Sequence, residues 1–171
     1  MEYKASFDTL TKVITLGAIA LFIVIGQKSV TALLASQGDT KTILLHSGIL
    51  LLFVIILVGS YLFSIQKYLI ENNKLIIKRP IGERRISITN ITEIRLVNEG
   101  DMAVTIKTFG NGGLFGYYGQ FRNRTFGSIT LYTTQRANRV FIKTKSGNKI
   151  IISPDDLSLV EKLKADLSNN Q

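Results

Sequence analysis

Few side chains in this chain could carry catalytic chemistry. It contains one histidine, His46, and no cysteine. His46 lies in an uncharged apolar run, so no Ser–His–Asp or Cys–His set is available, and thiolate metal sites and disulfides are excluded. Three carboxylates close together in sequence leave carboxylate-only hydrolysis open: Glu93, Glu99 and Asp101. No His, Asp and Glu cluster has metal-ligand spacing, and we expect neither an enzyme nor a cofactor or metal site.

A further pair of carboxylates, Asp155 and Asp156, is explained without catalysis. It follows Ser153 and Pro154 and precedes an amphipathic stretch at residues 157–167. Serine at the N-cap, proline at the first helical position and acids in the first turn are typical of a helix start, because they satisfy free backbone N–H groups and the helix dipole. We therefore predict a closing helix with both carboxylates in its first turn.

Phosphate binding is the chemistry that the basic residues favour. The formal net charge is +9, and residues 67–171 hold 17 Lys and Arg against 9 Asp and Glu. A cation beside a bilayer gains about 1 kcal/mol from anionic headgroups. Four basic residues bracket a turn at residues 80–83 and are candidate contacts with a membrane or ligand: Lys78, Arg79, Arg84 and Arg85.

A segment rich in glycine and aromatic residues, residues 109–128, is a second candidate contact. It holds six of the 14 glycines but neither a G-x-G-x-x-G motif that opens a helix nor Gly-Lys-Ser/Thr. Two interpretations remain open. The glycines could permit a tight hairpin whose rings fill one end of a β structure, or the loop could present rings at headgroup level with arginine on phosphate. The candidate contacts are Phe115, Tyr117, Tyr118, Arg122 and Arg124.

Two apolar runs near the N-terminus must position these residues. Residues 42–65 carry no charged side chain, and residues 13–35 carry only Lys28, whose amine can reach the headgroups from near the helix end. Each run has about the length that a bilayer core requires. We predict two transmembrane helices joined by a turn at residues 36–41. A cleaved signal peptide ending at Ala35 is the alternative for the first run.

This helical hairpin determines the domain organisation and the sidedness. Residues 1–66 form the N-terminal transmembrane hairpin, and residues 67–171 form one small domain. A hairpin places both of its ends on the same side of the membrane. Basic residues are more numerous at those ends than at the turn, so the positive-inside rule places the N-terminus and the domain in the cytoplasm.

Beyond the second apolar run, the hydrophobic period changes to two, which is typical of strands. Short alternating runs are separated by turn signals such as Asn72–Asn73 and residues 146–148. The pattern predicts about seven antiparallel strands, followed by the amphipathic C-terminal helix.

This order resembles bacterial PH (pleckstrin-homology-like) domain proteins in which the domain follows transmembrane helices. The runs NNKLIIKRPIG, GGLFGYYGQFRNRTFGS, LYTT and RVFIKTKSGNKIIISPDDLSLVEKL carry the resemblance, which covers residues 66–168. It implies an α+β membrane protein in which a two-helix transmembrane hairpin precedes a PH-like antiparallel β barrel or sandwich, capped by a C-terminal α-helix. The turn at Asn72–Asn73 is shorter than the basic loop with which phosphoinositide-binding PH domains hold their ligand, so inositide recognition is not implied.

The resemblance and the charge distribution together predict a function. We expect a membrane-anchored, non-catalytic PH-like binding module at the cytoplasmic face of a bacterial cell membrane. Its expected partners are anionic lipid headgroups or a membrane-proximal protein. The alternative is a protein-interaction or scaffold subunit of a membrane complex with no lipid recognition. Nucleic acid is not an expected partner, because the domain is tethered to the bilayer.

Overall fold

Two long helices form an antiparallel hairpin in the computed structural model, which describes residues 1–168: α1 (Thr9–Ala35) and α2 (Thr40–Leu62). The rings of Phe22 and Phe53 stack between them at a centroid distance of 4.3 Å. Both helices are long and apolar enough to cross a membrane, and almost none of their most apolar stretches is buried inside the protein. The predicted apolar hairpin is therefore confirmed, and neither helix is the core helix of a soluble fold.

The ends of the helices differ from the predicted spans of residues 13–35 and 42–65. α1 begins earlier, because the Asp8 side chain caps it by accepting a hydrogen bond from the Thr11 N–H at 2.7 Å. α2 ends earlier, because Ile65 is buried in the strand-rich domain with only 1% of its surface exposed. The apolar character of residues 63–65 thus belongs to the domain and its boundary rather than to α2.

A four-stranded antiparallel sheet begins beside the helices. Its strands lie side by side in chain order: β1 (Glu2–Lys4), β2 (Lys67–Glu71), β3 (Lys74–Lys78) and β4 (Glu83–Ser87). Asn72 and Asn73 have φ of 49° and 57°, as the tight turn between β2 and β3 requires. β1 is a strand that the sequence did not indicate, and it buries the Tyr3 side chain in the core.

A six-stranded sheet follows. Its members are β5 (Ile91–Leu96), β6 (Thr105–Gly113), β7 (Gly116–Asn123), β8 (Gly127–Thr133), β9 (Val140–Thr144) and β10 (Lys149–Ile152). They lie in the order β5-β9-β10-β8-β7-β6, with β8 and β10 parallel and the other neighbours antiparallel. The two sheets form a sandwich and not a closed barrel. Nine strands follow the helices in the described residues, because the glycine-rich segment itself forms strands.

The main core lies between the two sheets and is closed by α3 (Ser158–Ser168). Tyr68 and Ile77 from the first sheet pack in the same cluster as Ile142 from the second, and Leu163 of α3 completes it. This arrangement confirms the predicted strand-rich domain capped by a C-terminal helix.

The start of α3 differs in detail from the prediction. Ser153 is buried, and its N–H donates to the Tyr68 hydroxyl at 3.1 Å instead of capping the helix. Asp156 accepts a hydrogen bond from the Ser158 N–H at 2.8 Å, at the first turn of α3, and this bond holds the pKa of Asp156 below its usual range. The cap predicted at Ser153 is therefore wrong, because that residue belongs to the core, and Asp155 and Asp156 precede α3 instead of lying within its first turn.

Candidate functional site

The candidate site lies where the two helices join the sandwich, a region that we call the junction. β1 leads into α1 through residues 5–8, and α2 leads into β2 through residues 63–66. β1 and β2 pair with each other, with Lys4 opposite Lys67. Both helices therefore leave the sandwich from neighbouring strands, which fixes their base at two points.

The start of α1 is bonded to the loop after β8. The Asp8 carboxylate accepts a hydrogen bond from the Arg136 N–H at 3.1 Å, and the Thr11 hydroxyl donates to the Thr134 carbonyl at 3.2 Å. Partial burial raises the pKa of Asp8, but hydrogen bonds from Thr11 and Arg136 outweigh that effect and leave the pKa below its usual range. Asp8 is thus a charged clamp between helix and sandwich.

The tip of the β6–β7 hairpin packs against both helices. The Phe115 N–H donates to the Thr15 hydroxyl of α1 at 3.0 Å, and the Tyr118 hydroxyl donates to the Ser60 carbonyl of α2 at 2.6 Å. The Phe115 ring also meets the Tyr61 ring edge to face, with centroids 5.8 Å apart. The glycine-rich hairpin is therefore part of the junction.

Two glycines let the strands of this hairpin approach closely. Gly110 and Gly119 lie opposite each other and have φ of +124° and +117°. A Cβ on Gly110 would overlap the Tyr118 carbonyl oxygen, and one on Gly119 would overlap the Phe109 carbonyl oxygen. This geometry supports the interpretation of the segment as a tight hairpin. Its tip also lies beside the helix ends, so the two interpretations are compatible.

The turn between β3 and β4 contacts the end of α2. The Ile81 N–H donates to the Leu62 carbonyl at 3.2 Å. The Arg79 guanidinium lies over the Phe63 ring, 5.7 Å from its centroid, and the Arg79 Nε is buried without a hydrogen-bond partner. The turn therefore delivers one cation to the base of α2.

A cleft of about 450 Å³ lies between this turn and the hairpin. Its wall is mostly apolar, and among the described residues that line it Arg79 alone is charged. The lining includes Gly59, Ser60, Phe63, Arg79, Phe109 and Tyr118. Three large apolar side chains at or beside the cleft are half exposed or more: Phe63 (50%), Ile81 (52%) and Phe109 (77%).

The structure separates the four basic residues predicted as contacts. Arg79 lines the cleft, whereas Lys78 and Arg85 both form ion pairs with Glu83, the former at 2.9 Å. Hydrogen bonds from Lys78 and Arg85 hold the pKa of Glu83 below its usual range. Arg84 is exposed on the edge strand β4, away from the cleft lining.

The predicted contacts in the glycine-rich segment are separated in the same way. Phe115 and Tyr118 lie at the junction, and Tyr117 packs against a small hydrophobic cluster in the sandwich. Arg122 pairs with Ser128 of β8, about 20 Å along β7 from the hairpin tip at 3.3 Å per residue, and Arg124 follows it. Both arginines are exposed, and neither lines the cleft.

The residues that sequence reasoning missed are Ser60 and Phe63, with Ile81 beside the cleft. Ser60 and Phe63 lay inside a uniformly apolar run, where no change of pattern marks the end of α2. Ile81 was part of the predicted turn, but a turn signal does not indicate what the turn contacts. The signal that could have indicated this site is an aromatic residue and a basic residue close to the end of an apolar span. Phe63 and Arg79 fit that pattern.

Two of the carboxylates that kept hydrolysis open, Glu93 and Asp101, share one basic partner. Arg95 approaches Glu93 at 3.3 Å and Asp101 at 3.5 Å, and Asp155 accepts a hydrogen bond from the Ser6 N–H at 2.9 Å. Within residues 1–168, no group of three or more His, Cys, Asp and Glu side chains is placed to hold a metal ion.

Comparison with known proteins agrees with this architecture. The family described as Bacterial PH domain matches residues 66–167, which is more than half of the chain. No curated protein and no solved structure matches this chain. The matched region begins where α2 gives way to β2 and ends within α3, so it covers the sandwich except for β1, which precedes the helices. The chain therefore belongs to the bacterial PH domain family, with two apolar helices ahead of the family domain.

Proposed function

We propose that this protein is a membrane-anchored, non-catalytic binding module whose PH-like domain engages anionic lipid headgroups at the cytoplasmic face of a bacterial cell membrane. Membership of a family of binding modules supports the general role. Two exposed apolar helices of 27 and 23 residues support the anchoring, since a bilayer core requires about 20 residues of helix.

The observation that carries the proposal is the composition of the junction. If α2 leaves the bilayer near Leu62, then Phe63, Ile81 and Phe109 lie at the level of the headgroups, where exposed apolar side chains gain from contact with lipid. Arg79 lies among them with a buried, unpartnered Nε. A cation ringed by apolar side chains at this depth suits a phosphate of the leaflet.

The excess of basic residues in the domain favours anionic over neutral lipid. Residues 67–171 carry 17 Lys and Arg against 9 Asp and Glu, and the anionic surface potential of a cytoplasmic leaflet attracts such a domain over about one Debye length. The positive-inside rule places the same residues on the cytoplasmic side.

The test uses the full chain, because β1 and β2 lie on opposite sides of the helices in sequence. Protein purified in a neutral detergent is titrated with phosphatidylglycerol or phosphatidylcholine, and its melting temperature is followed by circular dichroism. We expect phosphatidylglycerol to raise the melting temperature more, and the difference to shrink at high salt. An equal response to both lipids would contradict the proposal.

A protein-interaction role is the second candidate, and one observation favours it. β6 is an edge strand of the six-stranded sheet and exposes Ile106 (65%) as well as Phe109. Edge strands with apolar side chains are templates for pairing with another chain. A stoichiometric membrane partner that crosslinks through Ile106→Cys, together with no preference for anionic lipid, would favour this role over lipid binding.

A further inference from the structure

We propose that the cleft at the base of α2 is a binding site for a single phospholipid, in which Arg79 binds the phosphodiester and the apolar wall holds the adjoining part of an acyl chain. This inference rests on the proposed function for the depth of the cleft in the leaflet. It goes further by assigning one site, one cation and one class of ligand.

The state of Arg79 indicates an anion. Its Nε is buried and has no hydrogen-bond partner, and a buried donor left unpaired is costly. Among the described residues no carboxylate forms an ion pair with it, because the nearby acid, Glu83, is shared by Lys78 and Arg85. Stacking on Phe63 holds the guanidinium at the cleft. A ligand oxygen would supply the missing acceptor.

The number of charges in the cleft limits the ligand. Arg79 is the one charged residue among the described lining, and the other polar groups are largely occupied. The Tyr118 hydroxyl donates to the Ser60 carbonyl and accepts from the Asn111 amide at 3.0 Å. One free cation matches a phosphodiester with a single negative charge, whereas a polyphosphorylated headgroup requires several.

The shape of the cleft fits a lipid rather than a small free anion. Its volume of about 450 Å³ lies in the range of about 300–1,000 Å³ that is usual for small-molecule sites. The Phe63 and Phe109 rings and the backbone of Gly110 and Gly119 form much of its wall. Inorganic phosphate would leave this apolar surface uncovered, whereas the glycerol and first methylenes of a lipid would cover it.

Native mass spectrometry of the full chain in detergent tests the site. We expect the wild type to retain one copy of added phosphatidylglycerol, and Arg79→Gln to weaken retention by about tenfold or more, as for the loss of one charge-assisted hydrogen bond. Arg84→Gln removes the same charge from an exposed position outside the cleft and should retain the lipid. Circular dichroism checks that both variants fold.

A second variant blocks the cleft without changing charge. Gly59 lines the cleft, and a Cβ added there meets no atom within 4 Å, so Gly59→Leu should fold and should also lose the lipid. Competition with sn-glycerol 3-phosphate and with inorganic phosphate distinguishes a lipid phosphodiester from a soluble phosphate as the ligand. Neither should displace the lipid at equal concentration.

The outcomes distinguish this inference from the proposed function. If phosphatidylglycerol stabilises the protein but Arg79→Gln and Gly59→Leu retain it like the wild type, the cleft is not the site, and the proposed function stands. If inorganic phosphate displaces the lipid, the site binds a soluble anion and the inference is overturned. If phosphatidylglycerol and phosphatidylcholine act alike on the wild type, the proposed function fails, because it requires a preference for anionic headgroups.

Discussion

Glu83 controls how much of the basic surface beside α2 can act on an anion. Its carboxylate pairs with Lys78 at 2.9 Å and with Arg85, and these bonds keep its pKa below the usual range. It therefore stays ionised at neutral pH and offsets two cations that the sequence alone counts as free. Arg79, which directly follows β3 and lies four residues before the start of β4, is not offset in this way.

Glu83→Gln should strengthen the response to anionic lipid. The change releases Lys78 and Arg85 from their ion pairs beside the β3–β4 turn, where Lys78 lies opposite residue 83. We expect a larger rise in melting temperature with phosphatidylglycerol than in the wild type, and a steeper dependence on salt. Glu71→Gln is the matched control for the change in charge, because Glu71 lies at the end of β2 remote from Lys78. An identical rise in both variants would show that only net charge matters.

Asp8 gives the base of α1 a dependence on pH. Its pKa lies below its ordinary value of 3.8, so its contribution to stability is present above pH 3.8 and is lost as pH falls through the lower folded-state pKa. Asp8→Ala should cost about 1 kcal/mol at neutral pH through loss of the helix cap. The difference in melting temperature from the wild type should shrink below pH 3.8 and stay constant above pH 5.

Asp8→Asn is the control for this prediction. Asparagine keeps a cap acceptor for the Thr11 N–H. It carries no charge to pair with the Arg136 guanidinium, whose Nε lies 3.5 Å from the Asp8 carboxylate. It should lose less stability than Asp8→Ala at neutral pH. A gap between wild type and Asp8→Ala that persists unchanged into acid would show that the carboxylate charge contributes nothing.

At the scale of elements, the β6–β7 hairpin positions the aromatic contacts with the helices. Gly119→Ala should disrupt it, because the residue has φ of +117° and its Cβ would overlap the Phe109 carbonyl. Strain of this kind costs about 1–3 kcal/mol, and the Tyr118 bond to α2 should weaken with it. Hydrogen exchange at residues 109–123 should rise in the variant.

Gly112→Ala is the matched control within the same hairpin. A Cβ at Gly112 meets only the Lys107 side chain, at 3.7 Å, and its φ is not in the left-handed region. We expect little change in hydrogen exchange or melting temperature. Equal effects of the two substitutions would mean that the close approach of the strands does not determine the hairpin.

The alternation of apolar residues was enough to predict most strands, but not β1 or the strands of the glycine-rich segment. β2 ends at the predicted turn Asn72–Asn73, and β10 begins directly after the predicted turn at residues 146–148, because each is a short alternating or apolar run beside a clear turn. β1 has three residues, too few for a period, and its partner β2 lies more than 60 residues away. Its pairing depends on the helical hairpin that brings the two strands together.

The candidate site was predictable only in its chemistry. Arg79 and Tyr118 were recognisable by residue type. The sequence, however, grouped Arg79 with Arg84 and Tyr118 with Arg122, and strands β4 and β7 place those two arginines away from the cleft. Phe63 was hidden in the apolar run of α2. The cleft is formed by segments that are distant in sequence, so no local pattern could indicate it.

For the whole molecule, the pairing of β1 with β2 attaches the helical hairpin to the sandwich at two points. α1 and α2 are connected to neighbouring strands. Ile81 and Tyr118 form hydrogen bonds to the end of α2, and Asp8 and Thr11 form hydrogen bonds between the start of α1 and the loop after β8. The domain therefore cannot swing freely about a linker. The same pairing bears on processing, because removal of residues 1–35 would take β1 and the buried Tyr3 from the sandwich.

Cysteine labelling tests the proposed arrangement in the membrane, and the absence of native cysteine makes each single variant clean. Thr40→Cys reports the turn between α1 and α2, and Ser146→Cys reports the turn between β9 and β10; both positions are exposed. In intact bacterial cells, a membrane-impermeant maleimide should label Thr40→Cys and not Ser146→Cys, and permeabilisation should make both reactive. Labelling of Ser146→Cys in intact cells would place the domain outside, against the positive-inside rule. Labelled protein of full length would show in the same experiment that α1 is retained, whereas a product shortened by about 35 residues would identify it as a cleaved signal peptide.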